Sequence, residues 1–471
     1  MSSVNSKKNP YIDDFIKFLN SSPTPFHVVN TVSKYLSCAG FNELKESKHW
    51  EKSIEAENKY YITRNSASII AFSIGKDWKP GNPIAFSGAH VDSPSLKIKP
   101  ISKKTSEGYL QVGIETYGGG IWHSWFDRDL GVAGRVIIQD KDGNITQRLI
   151  DIQRPLMRIS TLAIHLDREV NQKFEFNKET QLLPIMGLES RKQLKDQEDL
   201  TNTTLRHHHE LLDLIARELD IEKHQIMDIE LILKDVQPAC IGGINEEFIF
   251  SGRLDDQAMC YSILQGFLES FESRKDSEPD SIIRLMALFD HEEVGSVSAH
   301  GAESTFLPSV IKRLFNSKLA QKYDNSISFE QTISKSLLIS ADMGHAIHPN
   351  YSSKHESNHK PKLNQGLVLK INSNQRYATN SPGIVFALKV AKKAHVNLQF
   401  FVNSNTMPSG STIGPLLSAS LGIRTVDIGI PQLSMHSIRE MAGVNDINSS
   451  ILFFKSYYEN YAIIQKAIML D

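Results

Sequence analysis

The sequence has little cysteine, no long apolar run and no excess of one charge. Its 471 residues include three cysteines, Cys38, Cys240 and Cys260, too few and too scattered for a disulfide framework or a cysteine-based metal site. No segment approaches the roughly 18 consecutive apolar residues of a membrane helix. The net charge of −2 lacks the basic excess of nucleic-acid binders and of polybasic membrane surfaces. We therefore expect no nucleic-acid partner, no membrane association and a reducing compartment.

The remaining composition is that of an ordinary globular protein, with 40% hydrophobic and 23% charged residues. The length is sufficient for two or three domains and a large core. The first eight residues are polar and lack the apolar core of a secretory signal peptide. These features predict a cytoplasmic protein, for which vacuolar delivery would require a route without a signal peptide.

Two types of residue pattern alternate along the chain. Residues 1–93 and 244–471 combine short apolar strands with helical patterns, which is typical of a parallel or mixed sheet covered by helices. Residues 94–243 contain stretches that alternate apolar and polar side chains, as half-buried antiparallel strands do. We predict an α/β fold class with a mixed sheet and helices on both faces, formed by residues 1–93 and 244–471. A β-rich domain over residues 94–243 interrupts it.

A pair of adjacent glutamates, Glu292 and Glu293, follows the apolar run 282–288, which predicts a buried strand ending near Phe289. Two carboxylates this close raise each other's pKa unless a cation lies beside them. Adjacent side chains point in different directions, so one can bind a metal while the other accepts a proton from an activated water. A solvated acidic turn is the alternative for an isolated pair.

Further ligand-type residues follow apolar runs or glycine-rich turns elsewhere in the chain. In an α/β sheet such positions converge on one edge, and carboxylates and imidazoles suit borderline divalent metals. Five ligands for two metals require one bridging carboxylate. The additional candidates are His90, Asp92, Asp255, Asp342 and His436.

Each of these candidates has a simpler interpretation when taken alone. His90 and Asp92 lie two apart, so that in an extended segment Asp92 can accept the second ring N–H of His90, but a buried histidine beside a turn aspartate is equally ordinary. Asp255 is our choice for the bridge, and its alternative is a helix N-cap. His436 alone in a loop is typical of a surface residue.

Three other motifs suggest different chemistry. Residues 410–414 have the shape of a nucleophile elbow, but Thr412 stands where serine belongs, which favours a glycine-bounded helix start. The glycines at 118–120 lack the lysine and serine or threonine of a phosphate loop. The histidines at 207–209 head a charged helix without strand-end carboxylates, and we predict that they lie at the surface or at a subunit interface.

Ordered motifs along nearly the whole chain resemble the M18 metallopeptidase family. Together these motifs are long and specific. They are SGAHVDSP (87–94), YGGGIW (117–122), WFDRDL (125–130), LAIHL (162–166), RLD (253–255), EEVGS (292–296), SADM (340–343), HPNY (348–351) and MHSIRE (435–440).

The resemblance implies a zinc-dependent exopeptidase whose catalytic domain carries two zinc ions per subunit. By position in the family's motifs, His90 and Asp342 hold one ion, Glu293 and His436 hold the other, and Asp255 bridges them. Manganese and cobalt tolerate similar ligands and can substitute for zinc.

The same resemblance implies roles for residues around the metals. Glu292 is the general base and Asp92 the acid that orients the site. The family acts on peptides with acidic N-terminal residues and assembles as a tetrahedral dodecamer, so we expect an aminopeptidase in a homo-oligomer. The resemblance also implies that residues 94–243 serve dimerisation and further oligomerisation. The implied substrate contacts are His165, His345, Lys370 and Tyr377.

Two other function classes stay open on the sequence alone. One is a different two-metal hydrolase on the same scaffold, such as a deacylase or an aminopeptidase for neutral residues. The other is a non-catalytic scaffold that carries cargo in its assembly. The presence of Glu292 together with a full ligand set argues against the scaffold.

Overall fold

A computed structural model describes residues 10–189, 203–272, 279–323 and 327–468. The chain forms two compact units. The first unit lies within residues 1–92, 239–435 and 440–471, and the second within residues 93–238 and 436–439. The domain boundaries predicted from the sequence, after residue 93 and before residue 244, stay predictions.

Twenty strands, numbered along the chain, lie within the described residues. They are β1 (Asn42–Leu44), β2 (Lys59–Arg64), β3 (Ser68–Ile74), β4 (Ile84–His90), β5 (Ser95–Ser106), β6 (Tyr109–Tyr117), β7 (Leu130–Gln139), β8 (Ile145–Met157), β9 (Ile185–Leu188), β10 (Ile226–Asp235), β11 (Cys240–Gly242), β12 (Phe248–Ser251), β13 (Ile283–Phe289), β14 (Leu337–Ala341), β15 (Gly344–His345), β16 (Leu367–Ile371), β17 (Leu398–Val402), β18 (Arg424–Gly429), β19 (Pro431–Leu433) and β20 (Glu440–Gly443).

Ten α-helices lie within the same ranges. They are α1 (Pro10–Ser21), α2 (Pro25–Cys38), α3 (Thr203–Arg206), α4 (His209–Leu219), α5 (Leu254–Glu272), α6 (Phe306–Phe315), α7 (Ser328–Lys335), α8 (Ser381–Ala394), α9 (Ile413–Leu421) and α10 (Val444–Lys466). Among the described residues, no helix combines the length and the apolar character that crossing a bilayer requires.

The first unit contains a nine-stranded mixed sheet with the order β1-β2-β3-β13-β4-β14-β18-β16-β17. Its four central strands, β13, β4, β14 and β18, are parallel to one another. Strand β3 pairs antiparallel with β2 and β13, and β16 pairs antiparallel with β18. A smaller five-stranded sheet with the order β11-β12-β20-β19-β15 belongs to the same unit.

Helices cover both faces of the large sheet because its central strands are apolar on both sides. In β13, Met286 and Leu288 join a cluster with side chains of α1, α2, α5, α8 and α10. The alternate residues Leu285, Ala287 and Phe289 join a second cluster with side chains of α6 and α9. Successive strand residues point to opposite faces, so a continuous apolar run satisfies both layers. The predicted α/β class with helices on both faces is confirmed.

The second unit is built on a six-stranded sheet with the order β8-β7-β10-β5-β6-β9. Its neighbouring strands pair antiparallel. The inward side chains of this sheet form a core with the apolar face of α4, including Leu212 and Ile215. The alternating pattern of this part of the sequence therefore corresponds to antiparallel strands with one face on a core.

The prediction that residues 207–209 lie at the surface or at a subunit interface is wrong for two of the three histidines. His207 and His208 are buried within the second unit, at 0% and 1% exposure. His207 Nδ1 lies 2.8 Å from Ser102 Oγ, and His208 Nε2 lies 2.9 Å from the carbonyl oxygen of Lys104. These contacts give the rings hydrogen-bond partners from β5, which sequence spacing did not reveal.

Asp446, in the first turn of α10, is a buried carboxylate that links this helix to the segment before β16. It accepts the backbone N–H of Asn364 at 2.6 Å and that of Gly366 at 2.8 Å. Burial raises the pKa of Asp446 to about 7, although both hydrogen bonds act in the opposite direction. The folded protein therefore retains a proton that the unfolded chain releases above about pH 4.

We expect the free energy of unfolding to fall as the pH rises from about 4 to 7, since the folded state binds more protons in that window. For Asp446 the fall is at most about 1.4 kcal/mol per pH unit. Asp446→Asn cannot ionise, so its unfolding free energy, measured by urea titration, should fall less steeply over this range. Asp142→Asn, at an exposed position, is the matched control. Parallel pH profiles for wild type and Asp446→Asn would contradict the prediction.

Candidate metal centre

Three parallel strands of the large sheet end at one edge, next to residues of metal-ligand type. Strand β4 ends at His90, β13 ends at Phe289 shortly before Glu292, and β14 ends at Ala341 immediately before Asp342. The register places Phe289 beside His90. Because the strands are parallel, their carboxyl ends bring residues that are remote in sequence to the same edge.

Two groups of potential ligands at this edge share His90. Within each group, one ligand atom of every residue lies within 4.8 Å of the others. Both groups consist of imidazole and carboxylate donors, and both lie entirely in the first unit. The groups are His90 with Asp255, Asp256 and Asp342, and His90 with Glu292 and Glu293.

The His90 ring is fixed by the backbone of Asp92. Its Nδ1 lies 3.0 Å from the carbonyl oxygen of Asp92. A carbonyl oxygen only accepts, so Nδ1 is the donor and the neutral ring carries its lone pair on Nε2. That Nε2 lies 3.5 Å from Oδ1 of Asp255. The predicted partner of Nδ1 was the Asp92 carboxylate, whose Oδ1 lies farther away, at 3.4 Å.

The Asp92 carboxylate instead holds the two glutamates. Its Oδ1 accepts the backbone N–H of Glu292 at 3.1 Å, and its Oδ2 accepts that of Glu293 at 3.0 Å. Both donors belong to the 3₁₀ turn Glu292–Val294, which follows β13. One buried carboxylate thus positions the backbone of both glutamates, and sequence reasoning missed this contact because the partners lie about 200 residues apart.

Asp255 and Asp256 occupy an irregular start of α5. Their backbone angles (φ −80°, ψ 106° and φ −120°, ψ 23°) are not helical, and the peptide bond between them is cis. The Asp255 N–H donates to Oε2 of buried Glu440 at 3.1 Å. Asp256 Oδ2 accepts the N–H of His90 at 3.1 Å. Glu440 therefore positions Asp255, and Asp256 positions His90, in each case by accepting a backbone N–H.

Glu440→Ala is expected to weaken zinc binding by about 10–100-fold, the usual effect of losing a residue that supports a metal ligand. The variant removes the acceptor that holds the N–H of Asp255. Glu440→Gln keeps an acceptor oxygen and should bind zinc much more tightly than Glu440→Ala. Competition with a chromophoric chelator measures both affinities. Equal affinities in the two variants would show that this hydrogen bond does not support Asp255.

Asp342 is held by a buried lysine. Lys370 Nζ lies 3.1 Å from Oδ1 of Asp342 and donates to the carbonyl oxygen of Met343 at 2.8 Å. Burial by itself would lower the pKa of Lys370, but the negative charge of Asp342 outweighs burial and the pKa is raised. Lys370 is therefore charged at neutral pH and compensates part of the negative charge of Asp342.

Gly429, at the end of β18, lies against the backbone of Asp342. A Cβ atom on Gly429 would lie 1.7 Å from the Asp342 carbonyl oxygen. The Asp342 N–H donates to the carbonyl oxygen of Ile428 at 3.0 Å, which keeps the two segments in contact. Only glycine fits there without displacing Asp342. The sequence analysis missed this residue, because an isolated glycine at a strand end carries no distinctive signal.

Burial and mutual repulsion perturb the ionisable groups at this edge. Burial raises the pKa of Glu292 to about 8 and also raises the pKa values of Asp256 and Asp342. Burial opposes protonation of His90, but the charge of Asp256 and contacts with Asp255 and other carboxylates outweigh it, so the pKa of His90 is raised. Such a concentration of buried negative charge is relieved by a bound cation.

The donor set fits a divalent metal. It combines imidazole nitrogen with carboxylate oxygen, which suits zinc, manganese and cobalt. Among the described residues, the buried Asp256 Oδ1 has no hydrogen-bond partner, as an oxygen facing a cation site would. Carboxylates this close together repel one another when ionised. Ionising all of them is therefore costly unless a positive charge lies between them.

The roles of the remaining predicted site residues stay predictions. In the first unit, Tyr377 is buried with its ring centroid 5.2 Å from Lys370 Nζ, and exposed His345 has its ring 5.9 Å from that of Phe401. In the second unit, His165 is exposed. His436 also belongs to the second unit, where its Nδ1 lies 3.1 Å from the carbonyl oxygen of Gly119.

The rival nucleophile motif is a helix start, as the sequence favoured. Thr412 is the N-cap of α9, and its Oγ1 accepts the N–H of Gly414 at 3.2 Å. The same hydroxyl donates to Oδ1 of Asp427 at 2.6 Å. Thr412 is therefore engaged in capping and in supporting a buried aspartate.

Comparison with known proteins agrees with this site. Residues 18–458 match the family model described as aminopeptidase I zinc metalloprotease (M18). The aspartyl aminopeptidase of Aspergillus oryzae is 50% identical over 98% of both chains. Aspartyl aminopeptidase 4 of Saccharomyces cerevisiae is 52% identical over 98% of this chain and 97% of its own.

A solved structure is also similar to nearly the whole chain. The structure of the S. cerevisiae mApe1 dodecamer superposes with a TM-score of 0.85 at 31% identity, over 97% of this chain and 98% of that one. The likeness covers both units, and the resemblance found in the sequence motifs is confirmed. The chain belongs to the aminopeptidase I zinc metalloprotease (M18) family.

Proposed function

We propose that this protein is an aspartyl aminopeptidase, which hydrolyses N-terminal aspartate, and also glutamate, from peptides. The observation that carries the proposal is the buried carboxylate–imidazole cluster at the end of β4, β13 and β14. It lies in a chain that is 50% and 52% identical to two relatives named aspartyl aminopeptidase.

The proposed cofactor is a pair of zinc ions, for which manganese or cobalt can substitute. His90 and Asp342 would hold one ion and Asp255 would bridge, while Glu293 and, by its position in the family's motif, His436 would hold the other. A pair of such ions, when bound, lowers the pKa of a water molecule and polarises the scissile carbonyl. Nearby carboxylates would bind the free α-ammonium group of the peptide, which makes the enzyme an exopeptidase.

Glu292 is the proposed general base. A base is most effective when its pKa lies near the working pH, and burial raises the pKa of Glu292 toward that range. Its backbone N–H is held by Asp92, and its carboxylate oxygen Oε2 lies 4.0 Å from His90 Nε2. Glu292 would take the proton from the attacking water and deliver it to the nitrogen of the departing amine.

His165 is the proposed donor to the oxyanion of the tetrahedral intermediate. Loss of such a donor typically lowers kcat by about 10²–10³-fold. In the family the matching residue reaches the active site of a neighbouring subunit, and exposure of His165 in this chain is compatible with that role. His345 and Tyr377 are proposed as further substrate contacts.

Oligomerisation follows from the same proposal. The related mApe1 structure is a dodecamer, and we propose a tetrahedral dodecamer for this chain, with residues 94–243 as the oligomerisation domain. Light scattering of the purified protein distinguishes a dodecamer from smaller assemblies. We further propose a cytoplasmic location.

The substrate proposal is tested with aminoacyl chromogenic substrates that carry aspartate, glutamate, alanine or leucine. We expect kcat/KM to be highest for the two acidic substrates and to vanish with chelator, with zinc measured in the same sample. Preference for alanine or leucine would favour an aminopeptidase for neutral residues. Absence of any turnover by zinc-loaded protein would favour a non-catalytic scaffold.

Lys370 is the proposed partner of the acidic substrate side chain, although it already contacts Asp342. If it binds substrate, Lys370→Met should lower kcat/KM for aspartate substrates by about 100-fold more than for alanine substrates, since a buried charge pair is lost. If it acts through Asp342 alone, both substrates should lose equally and zinc content should fall. Exposed Lys362→Met is the matched control.

A further inference from the structure

A second cluster of ligand-type side chains lies beside the proposed metal centre and shares no residue with it. We call Asp290, His291 and His300 the outer histidine cluster. One ligand atom of each residue lies within 4.8 Å of the others. Asp290 is 4% exposed, and the side chains of His291 and His300 are 23% and 12% exposed. The cluster is therefore partly enclosed but open to small ions.

The distances within the outer histidine cluster are those of neighbouring metal ligands. Asp290 Oδ2 lies 3.4 Å from His300 Nε2 and 3.6 Å from His291 Nε2. Both distances exceed the usual hydrogen-bond range. With zinc–ligand bonds of about 2.0–2.1 Å, two ligand atoms of a tetrahedral site lie about 3.3–3.4 Å apart. The two distances from Asp290 Oδ2 are thus close to the spacing that a shared ion requires.

The His291 ring has a partner on the side away from the ion. His291 Nδ1 lies 2.9 Å from Ser298 Oγ, which also accepts the N–H of Gly301 at 3.0 Å. A ring that donates from Nδ1 to this hydroxyl presents the lone pair of Nε2 to Asp290. Metal-binding histidines commonly have such a partner for the second nitrogen. For His300, the side-chain nitrogen of Asn65 lies 3.5 Å from the proposed ligand atom Nε2, and a bound ion would replace this contact.

The two segments that carry the outer histidine cluster are tied together by the residues at the end of β2 and the start of β3. Ser68 Oγ accepts the N–H of Asp290 at 2.9 Å and donates to the carbonyl oxygen of His300 at 2.6 Å. Arg64 Nη1 donates to the carbonyl oxygen of Ala299 at 3.0 Å. These contacts hold the backbone of the two segments that carry the ligands. Less conformational entropy is then lost when an ion binds.

We propose that the outer histidine cluster is an additional binding site for a divalent transition metal of the zinc class. Asp290 Oδ2, His291 Nε2 and His300 Nε2 are its protein ligands, and water completes the coordination. Two imidazoles and one carboxylate favour zinc, cobalt or nickel over magnesium and calcium, which prefer oxygen ligands alone. A bound ion would tie together residues 290–300, the segment that also contains Glu292 and Glu293.

The test is a count of zinc ions in the full-length chain, stripped with chelator and reloaded by titration. His300→Ala should bind one zinc ion fewer per chain than wild type. His49→Ala, which removes a surface imidazole whose side chain is 96% exposed, should bind as many as wild type. Equal zinc counts for wild type and His300→Ala would overturn the proposal and leave the three residues as an electrostatic network.

A second variant covers the case in which His300→Ala does not fold. Ser298→Ala keeps every ligand and removes the hydroxyl that contacts His291 Nδ1 and accepts the N–H of Gly301, so the zinc count should stay the same while one site binds about 10–100-fold more weakly. Unchanged affinity at all sites would also overturn the proposal. Loading with cobalt adds a visible absorption band for each site, and His300→Ala should lose one component of that spectrum.

The result is independent of the proposed aminopeptidase activity. The difference in zinc count between wild type and His300→Ala reports on the outer histidine cluster. The number of ions that His300→Ala retains reports on the two-zinc centre at His90, Asp255 and Asp342. A failure of either proposal is therefore recognised separately.

Discussion

Replacing Glu292 with glutamine is expected to lower kcat by about 10²–10⁴-fold, the usual contribution of a general base. The glutamine has the same size and keeps the backbone hydrogen bond to Asp92, but its amide cannot accept the proton of the attacking water. Because Glu292 is not among the proposed zinc ligands, the zinc content should stay near that of wild type. Steady-state kinetics on an aspartyl substrate and metal analysis of the same sample measure both quantities.

The control for this variant is Glu330→Gln, at an exposed position on α7. It changes the same functional group at a residue outside the proposed metal centre and should keep wild-type kcat. Full activity of Glu292→Gln would refute its assignment as base. Loss of zinc together with loss of activity would instead indicate that Glu292 supports metal binding.

Gly429→Ala is expected to disrupt the proposed metal centre from a position that carries no functional group. Its Cβ would lie 1.7 Å from the Asp342 carbonyl oxygen, so the segment after β14 must move. Overpacking of this kind typically lowers the free energy of unfolding by about 1–3 kcal/mol. Since Asp342 moves with the segment, zinc affinity and kcat/KM should fall as well. Thermal unfolding and zinc titration of the purified variant test both effects.

Gly410→Ala is the matched control, because a Cβ at Gly410 has no heavy atom within 4 Å. We expect its stability and zinc binding to match those of wild type. A Gly429→Ala protein that binds zinc normally would mean that β18 yields to the added methyl group without displacing Asp342. The contact would then have no role in positioning this ligand.

Much of the proposed site was visible in the sequence because strand ends have a simple signature. An apolar run that stops at His90, Phe289 or Ala341 marks a buried strand, and the polar residues that follow mark its carboxyl end. In a parallel arrangement these ends share one edge, so His90, Glu292 and Asp342 were expected to lie together. The structure brings them together.

The supporting contacts were not predictable by the same reasoning. The Asp92 carboxylate accepts N–H groups about 200 residues away, and Glu440 accepts the N–H of Asp255 from 185 residues away. A backbone N–H is present at nearly every position, so the residue pattern does not indicate which N–H a given carboxylate will bind. Likewise, the sequence suggested Lys370 only as a substrate contact, and its burial next to Asp342 gives it an electrostatic role that the sequence did not predict.

Burial of polar residues was the least predictable property. His207 and His208 precede a charged helix and suggested a surface position, yet both are buried against β5. Polar side chains can be buried when they find hydrogen-bond partners, and these partners came from residues about 100 positions earlier. The pattern of neighbouring residues does not contain that information.

The sequence by itself determined the fold class, the family and the types of residue at the strand ends, because periodicity and ordered motifs are local properties of the chain. Only the tertiary structure decided which donors meet which acceptors: the Asp92 carboxylate with two backbone N–H groups, Lys370 with Asp342, and the outer histidine cluster around Asp290. The physical reason is that hydrogen bonds and charge pairs depend on distances of a few ångströms between segments that are remote in sequence.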